Sequence, residues 1–418
     1  MPLFLYIFFY NCFIKIYAIA AYLLSIKNNK AKLFVKGRKN IFEKIKLQIQ
    51  SNTNKKNIWI HCASLGEFEQ AKPIIESLYK KEKYYIALSF FSPSGYEVSK
   101  NYPFAHAIFY LPLDTKQNAK KLLAIVNPSL IIFIKYEFWF HYLTQAKEQQ
   151  IPIVLASGIF RKSQPFFKWY SKLHLLMLNC LNEILVQNDA SKNLLNSIGF
   201  TNIKVTGDTR FDRVVQIANE NYKNEIIENF INQKPCLIAG STWYEDEVEL
   251  QHFVNKQKDI ATIIAPHQVD DESIATCKKI FPSAVLYSSI QKTKNYSTNS
   301  NILIIDSIGI LSKIYRFATI CFIGGGFGND GVHNVLEASI YGKPIVFGPE
   351  YEKFAEATDL VEINVAKSVE NGLELEAILT ELFSNNQLQN QMGKLAYSHT
   401  FKNAGATKKT LIIVEKFL

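Results

Sequence analysis

The residues of this sequence best placed to do chemistry are carboxylates that follow short apolar runs, with glycines and small polar residues between them. The longest such stretch is Gly324-Gly-Gly-Phe-Gly-Asn-Asp-Gly-Val-His-Asn-Val-Leu-Glu337, fed by the apolar run Thr319–Ile323. Glycines between a strand and a helix N-terminus let backbone N–H groups approach a phosphate, and the helix dipole favours its charge. Gly325, Gly326 and Gly331 are the glycines expected to do this, with His333 and Asn334 opening a helix that carries Glu337 on its first turn. A carboxylate there can reach sugar hydroxyls, so the stretch suits a nucleotide-sugar site. A glycine-rich turn with no ligand is the plainer reading.

A second segment, Ile58-Trp-Ile-His-Cys-Ala-Ser-Leu-Gly-Glu67, has the same logic. The strand ends at Cys62, Ser64 and Gly66 form the turn, and Glu67 begins a helix. Glu67 is a candidate general base, and the helix dipole is expected to favour its ionised form. It can equally be a helix-capping residue. Glu137 follows the apolar run Leu130–Ile134 and is a second acidic candidate, or the partner of Lys135. Ser92 in Ser92-Pro-Ser-Gly95 reads as a turn able to offer backbone donors. Arg161 and Arg210 follow further strand ends, where a guanidinium suits phosphate or carboxylate, or merely faces solvent. Ser241 and Thr242 lie in the small-residue turn Ala239–Thr242, and His267 follows Ala265-Pro266. No HExxH, P-loop or Gly-x-Ser-x-Gly pattern is present, and no metal-ligand spacing, so no metal and no cofactor are expected.

These positions need strands that end in functional loops. Apolar runs and helical patterns alternate in two series. The first comprises Ile58–Cys62, Tyr85–Phe91, Ile108–Leu111, Leu130–Ile134, Ile153–Ala156 and Ile184–Gln187, and closes at Val205–Gly207. A polar segment, Asn219–Lys234, reads as a helical connection. The second series runs through Cys236–Ala239, Ala261–Ala265, Ala284–Leu286, Ile302–Ile305, Ile320–Ile323 and Pro344–Phe347, with a Ser/Asn-rich loop at Lys294–Asn301 and a largely helical end from Leu375 to Leu418. Alternation of this kind predicts two doubly wound parallel sheets, α/β in class, with ligands at strand C-terminal ends and in a central cleft. The expected divisions are 1–26, 27–215 and 216–418.

The chain has 418 residues, 48% of them hydrophobic, and a formal net charge of +10. Without an arginine-rich arm, that charge points to anionic membrane or phosphorylated substrate rather than nucleic acid. Six scattered cysteines without CxxC spacing read as reduced and buried. Residues 1–26 are nearly all apolar or aromatic and are followed by Lys27, Lys30, Lys32, Lys36, Arg38 and Lys39. A membrane anchor, spanning or lying in the interface, is expected, with its basic flank on the cytoplasmic side.

The ordered set of motifs resembles the Kdo (3-deoxy-D-manno-octulosonic acid) transferases of lipopolysaccharide synthesis, inverting glycosyltransferases of the GT-B fold. The motifs are Trp59–Glu67, Phe91-Ser-Pro93, Leu111-Pro-Leu-Asp114, Glu137-Phe-Trp139, Gly207-Asp-Thr-Arg-Phe211, Ala239–Thr242, Ala265-Pro-His267, and Gly324–Glu337 with Gly348-Pro349. The resemblance implies transfer of Kdo from CMP-Kdo to the 6′-hydroxyl of a lipid A precursor (lipid IVA) at the cytoplasmic face of the inner membrane. It implies Glu67 as base; Ser64, Gly66, Ser92, Glu137, Arg161 and Arg210 toward the acceptor; and Ser241, Thr242, His267, Gly325, Gly326, Gly331, His333, Asn334 and Glu337 toward the donor. Four departures touch those contacts. His267 stands where the family commonly has arginine, and Arg210 where it has lysine. Val332 and Ala338 break the usual Gly-Gly-His-Asn and Leu-Glu-Pro runs. The rival readings are a GT-B transferase or epimerase using a UDP-sugar, and a non-catalytic nucleotide-sugar binding protein.

Overall fold

The computed structural model describes residues 2–49, 55–135, 137–294 and 300–418. The chain forms two compact units. The first comprises residues 1–213 and 404–418, and the second residues 214–403.

The first unit is built on seven parallel strands: β1 (Lys56–Cys62), β2 (Tyr84–Phe90), β3 (Ala107–Tyr110), β4 (Leu130–Ile134), β5 (Ile153–Gly158), β6 (Glu183–Val186) and β7 (Ile203–Val205). Their order is β3-β2-β1-β4-β5-β6-β7, so the chain reverses direction across the sheet beside β1. The strands are continuous apolar runs because helices cover both faces, as a parallel sheet requires. Ile58, Trp59 and Ile60 of β1 and Ile131, Ile132 and Phe133 of β4 are fully buried. Pairing of Ile58–His61 with Leu130–Phe133 brings the C-terminal ends of β1 and β4 to the same edge, which is where a doubly wound sheet places its site.

The second unit repeats the plan with β8 (Cys236–Thr242), β9 (Ala261–Pro266), β10 (Val285–Leu286), β11 (Ile302–Ile304), β12 (Ile320–Ile323), β13 (Ile345–Phe347) and β14 (Ala366–Ser368), ordered β10-β11-β9-β8-β12-β13-β14. The sequence reading omits β14, three residues long and only partly buried. The expected loop Lys294–Asn301 lies mostly outside the described residues.

Three expectations about elements are corrected. The segment 219–234 is not one helical connection: one helix runs Thr209–Ala218 and another begins only at Glu225. Ser92 does not begin a plain turn but caps a helix, Pro93–Ser99, its hydroxyl accepting from Ser94 N at 3.3 Å. Proline at the first helical position suits that start. The last helix does not belong with the second unit. Ile413 and Val414 pack with Ile58, Ile60 and Ile74 in the core of the first. Asp212 accepts from Gly405 N at 2.7 Å and Thr407 N at 2.9 Å, which caps that final helix.

The N-terminal segment forms helix α1 (Leu3–Leu24), followed by α2 (Asn29–Arg38). One stripe of α1 packs on the first unit. Ile14 and Ala21 are buried, and Tyr6, Ile7 and Tyr10 join the core. Tyr10 donates to Asp114 at 2.5 Å, Asn11 meets His141 Nε2 at 2.7 Å, and Tyr17 packs edge-on against Phe34. The other face, with Phe4, Phe8, Phe9, Phe13, Ile16 and Ile19, is exposed. Arg38 is not a free cation of the basic flank. It is half-buried, donates to the carbonyls of Leu111 (2.9 Å), Phe91 (2.7 Å) and Phe34 (3.2 Å), and stacks 3.6 Å above the Phe34 ring.

Candidate functional site

In the first unit the candidate residues gather at the C-terminal ends of β1, β2 and β4. Helix α3 (Leu65–Tyr79) starts directly after β1, with Ser64 at its N-cap. Glu67, on the first turn, folds back so that Oε2 accepts from Ala63 N at 2.5 Å. The Ser92 N–H donates to Ala63 O at 2.8 Å, tying the end of β2 to the same turn. Gly66 leaves open space where a Cβ would sit, so its lack of a side chain is not forced by packing.

Glu67 is only 6% exposed. Burial, then the negative charge of Glu137, push its carboxyl from the usual 4.5 up to about 8, against the Ala63 N–H and the charge of Lys135. The expectation that the helix dipole keeps Glu67 ionised is therefore reversed, because withdrawing a carboxylate from water outweighs a partial charge at a helix end. Burial also raises Glu137. Lys135, between them in the chain, holds φ at 70°. For a side chain with a Cβ that conformation costs about 1 kcal/mol or more, and such costs concentrate at functional sites.

The two arginines lie further out. Arg210 is held by its own neighbour, with Nε and the terminal nitrogen 2.8 and 2.7 Å from Asp208 Oδ2. Arg161 is exposed on the loop after β5, its N–H bonded to Gln164 Oε1 at 3.0 Å. His61, inside the sharpest motif, is fully buried against Ser89 and pushed down to about 3 by burial, a neutral core residue.

In the second unit, β8 bulges between Gly240 and Thr242, with Ser241 at φ 55°. Helix α4 (Tyr244–Lys256) starts next. The Thr242 hydroxyl donates to Glu247 at 2.9 Å, while the Ser241 hydroxyl is bonded to no other described residue. The glycines are needed first for backbone contact. A Cβ on Gly326 would lie 2.6 Å from Gly348 N, and one on Gly331 2.9 Å from Glu350 O and 2.6 Å from the Phe354 ring. Gly325 and Gly331 also have positive φ, 91° and 81°.

The expected phosphate cradle is partly occupied by the protein itself. Asp246, fully buried on α4, accepts from Gly325 N at 2.7 Å, Phe327 N at 3.3 Å and Trp243 N at 2.8 Å. The helix after the loop, α5 (Leu336–Ser339), is a single turn and begins after Asn334. Asn334 bridges to its start, accepting from Leu336 N and donating to Glu337 Oε1 at 3.1 Å. His267 and His333 come together, their rings stacked 4.3 Å apart, with Trp243 beside them. A cavity of about 550 Å³ opens next to Trp243. Glu247, Asp270 and Glu272 line it, which makes it a poor place for an anion.

Trp243 and Asp246 are absent from the sequence reading. Asp246 carried a usable signal: an acidic residue three positions after a strand-ending turn marks the N3 site of a capping box. Trp243 carried none.

This pair of seven-stranded units is the architecture of the GT-B glycosyltransferases, shared with enzymes of other activity. A UDP-GlcNAc 2-epimerase from Neisseria meningitidis superposes with a TM-score of 0.62 at 16% identity, over 86% of this chain and 100% of that one. Residues 39–213 match the family model described as 3-deoxy-D-manno-octulosonic-acid transferase (kdotransferase). A 3-deoxy-D-manno-octulosonic acid transferase of Rickettsia prowazekii is 26% identical over 370 residues, 86% of this chain and 79% of the relative. A bifunctional glycosyltransferase/methyltransferase of Fusobacterium nucleatum is 29% identical over 329 residues, 75% of this chain but only 50% of its own length. The chain is a glycosyltransferase, similar over most of its length to the Kdo transferases.

The raised carboxyl of Glu67 makes a stability statement. Between pH 4.5 and about 8 the folded protein holds a proton that the unfolded chain has lost, so the stability present below pH 4.5 declines as pH rises to about 8. Glu67→Gln removes that decline. In denaturant melts the variant is expected to match wild type near pH 4.5 and to exceed it by on the order of a few kcal/mol at pH 8. Parallel pH profiles for the two proteins would show that Glu67 ionises normally.

Proposed function

We propose that this protein transfers Kdo from CMP-Kdo to the 6′-hydroxyl of a lipid A precursor, lipid IVA, with inversion at the anomeric carbon. The observation that carries the reading is Glu67: a buried carboxyl on the first turn of the helix after β1, with its proton affinity moved to about 8. A base is most effective when its pKa lies near the working pH. Similarity to the Kdo transferases supports the substrate class.

In this reading the acceptor hydroxyl gives its proton to ionised Glu67 as its oxygen forms the bond to the anomeric carbon. The bond from that carbon to the CMP phosphate oxygen breaks, and CMP leaves with the electron pair. Glu137 supports the acceptor side and tunes Glu67 through its charge. Ser64, Gly66 and Ser92 shape the same turn, and Arg161 is the acceptor-side cation. Arg210 acts through its pair with Asp208. Ser241, Thr242, His267, Gly325, Gly326, Gly331, His333, Asn334 and Glu337 hold the donor. With Gly325 N–H already bonded to Asp246, side chains carry more of the phosphate recognition than a bare glycine loop would.

Helix α1 gives the reading its place. It is 22 residues long and apolar enough to cross a bilayer, yet one stripe along it is held to the first unit by hydrogen bonds of Tyr10 and Asn11 and by ring packing of Tyr17. A helix cannot keep those contacts and stand across the membrane. It lies instead in the cytoplasmic interface of the inner membrane, with Phe4, Phe8, Phe9 and Phe13 toward the acyl chains.

The transfer assay uses CMP-Kdo generated in situ and lipid IVA. Wild type is expected to form Kdo-lipid product and to form none from UDP-sugars. Glu67→Ala is expected to fold and to lose about 10²-fold or more in rate. Transfer by Glu67→Ala at the wild-type rate would remove the base assignment. A wild type that turns over UDP-sugars alone would overturn the donor.

Flotation with anionic phospholipid vesicles tests α1. The double variant Phe8→Ser, Phe13→Ser is expected to lose most of its vesicle binding while retaining its fold, because those rings supply the inserted area. Binding unchanged by the two substitutions would contradict the interfacial placement.

A further inference from the structure

Trp243, His267 and His333 reach one point of the second unit from three different segments. Trp243 follows β8, His267 follows β9 with its N–H on Thr242 O at 2.8 Å, and His333 follows the glycine loop with its N–H on Gly324 O at 3.0 Å. The indole Nε1 of Trp243 donates to His333 Nε2 at 2.9 Å. Those two rings are nearly coplanar, with planes 18° apart and centroids 6.3 Å apart, so they meet edge to edge. The His267 ring lies across both, 4.6 Å from Trp243 and 4.3 Å from His333, at 25° and 11°.

The chemistry of this contact is one-directional. An indole nitrogen can only donate. His333 Nε2 must therefore present its lone pair, and the neutral ring then carries its proton on Nδ1. An imidazolium would set two N–H groups head to head and break the bond. We infer that Trp243 is a positioning residue for the sugar-nucleotide donor: it holds His333 as the neutral Nδ1–H tautomer, so that one N–H of fixed direction meets the donor. This rests on the proposed reading that the glycine loop and His333 hold the donor.

Two observations support it. Nδ1 of His333 is bonded to no other described residue. Burial and the neighbouring His267 push His333 down to about 4, outweighing Asp330, which acts the other way. His267, also lowered by burial against Asp330, closes the face of the pair. An arginine at position 267 would put a permanent charge over that ring pair.

The test is ¹⁵N-detected histidine NMR on the full chain at pH 7, with the His333 signals assigned by their loss in His333→Asn. Wild type is expected to show His333 as the Nδ1–H tautomer, and CMP is expected to shift those signals. Trp243→Phe keeps a ring under His267 but deletes the N–H. It is expected to move His333 toward a mixture of tautomers and to weaken CMP binding about fivefold, the size of one net hydrogen bond. An Nε2–H or charged His333 in wild type overturns the inference without any variant. So does a Trp243→Phe protein with tautomer and CMP affinity both unchanged. If wild type shows the Nδ1–H tautomer but CMP shifts no His333 signal, the donor reading of the loop falls, and the role of Trp243 toward the donor falls with it.

Discussion

A carboxyl group kept out of water at the end of β1 is the constraint on which the first unit turns. Glu67 is buried enough that losing its proton is costly. Several features make that position tenable. The Ala63 N–H gives Oε2 a partner, the Ser92 N–H fastens the same turn to β2, and Lys135 brings a compensating charge in a strained backbone conformation. Glu137 works the other way, and the balance leaves the carboxyl poised near neutrality rather than fully ionised. A freely solvated glutamate would be ionised at pH 7 but would be a weaker base.

The second unit uses a buried carboxylate for the opposite purpose. Asp246 accepts three backbone N–H groups and thereby joins the start of α4 to the glycine loop. Each of those donors would otherwise be an unmet polar group in a dry place. The loop is consequently rigid by construction, with Gly326 and Gly348 in direct backbone contact. His333, Asn334 and Glu337 stand beside that loop, His333 held by Trp243 and Glu337 by Asn334.

Much of this arrangement was legible in the sequence because parallel strands buried on both faces read as uninterrupted apolar runs. β1, β4, β8, β9 and β12 all fall where such runs predict them, and the residues immediately after them include Glu67, Glu137 and the glycine loop. What escaped was decided by distant partners. The last helix belongs to the first unit because Asp212 caps it and Ile413 and Val414 fit that core, a relation across some 190 positions that no local pattern encodes. Arg38 looks like one more basic residue until Phe34, Phe91 and Leu111 are brought around it. Arg210 looks free until its neighbour Asp208 claims it. For Glu67 the position was legible but the charge state was not, since the helix dipole is local and visible while burial is a property of the whole fold.

The claim that Glu67 is a base tuned by burial and by Glu137 is tested most directly by the pH dependence of kcat/KM, which reports ionisations of the free enzyme. Wild type is expected to gain activity with rising pH along a limb centred near 8. In Glu137→Gln that limb moves to lower pH, whatever happens to the maximal rate, because a like charge has been removed. A limb near 4.5 in wild type, or one that stays in place when Glu137 loses its charge, would contradict the account.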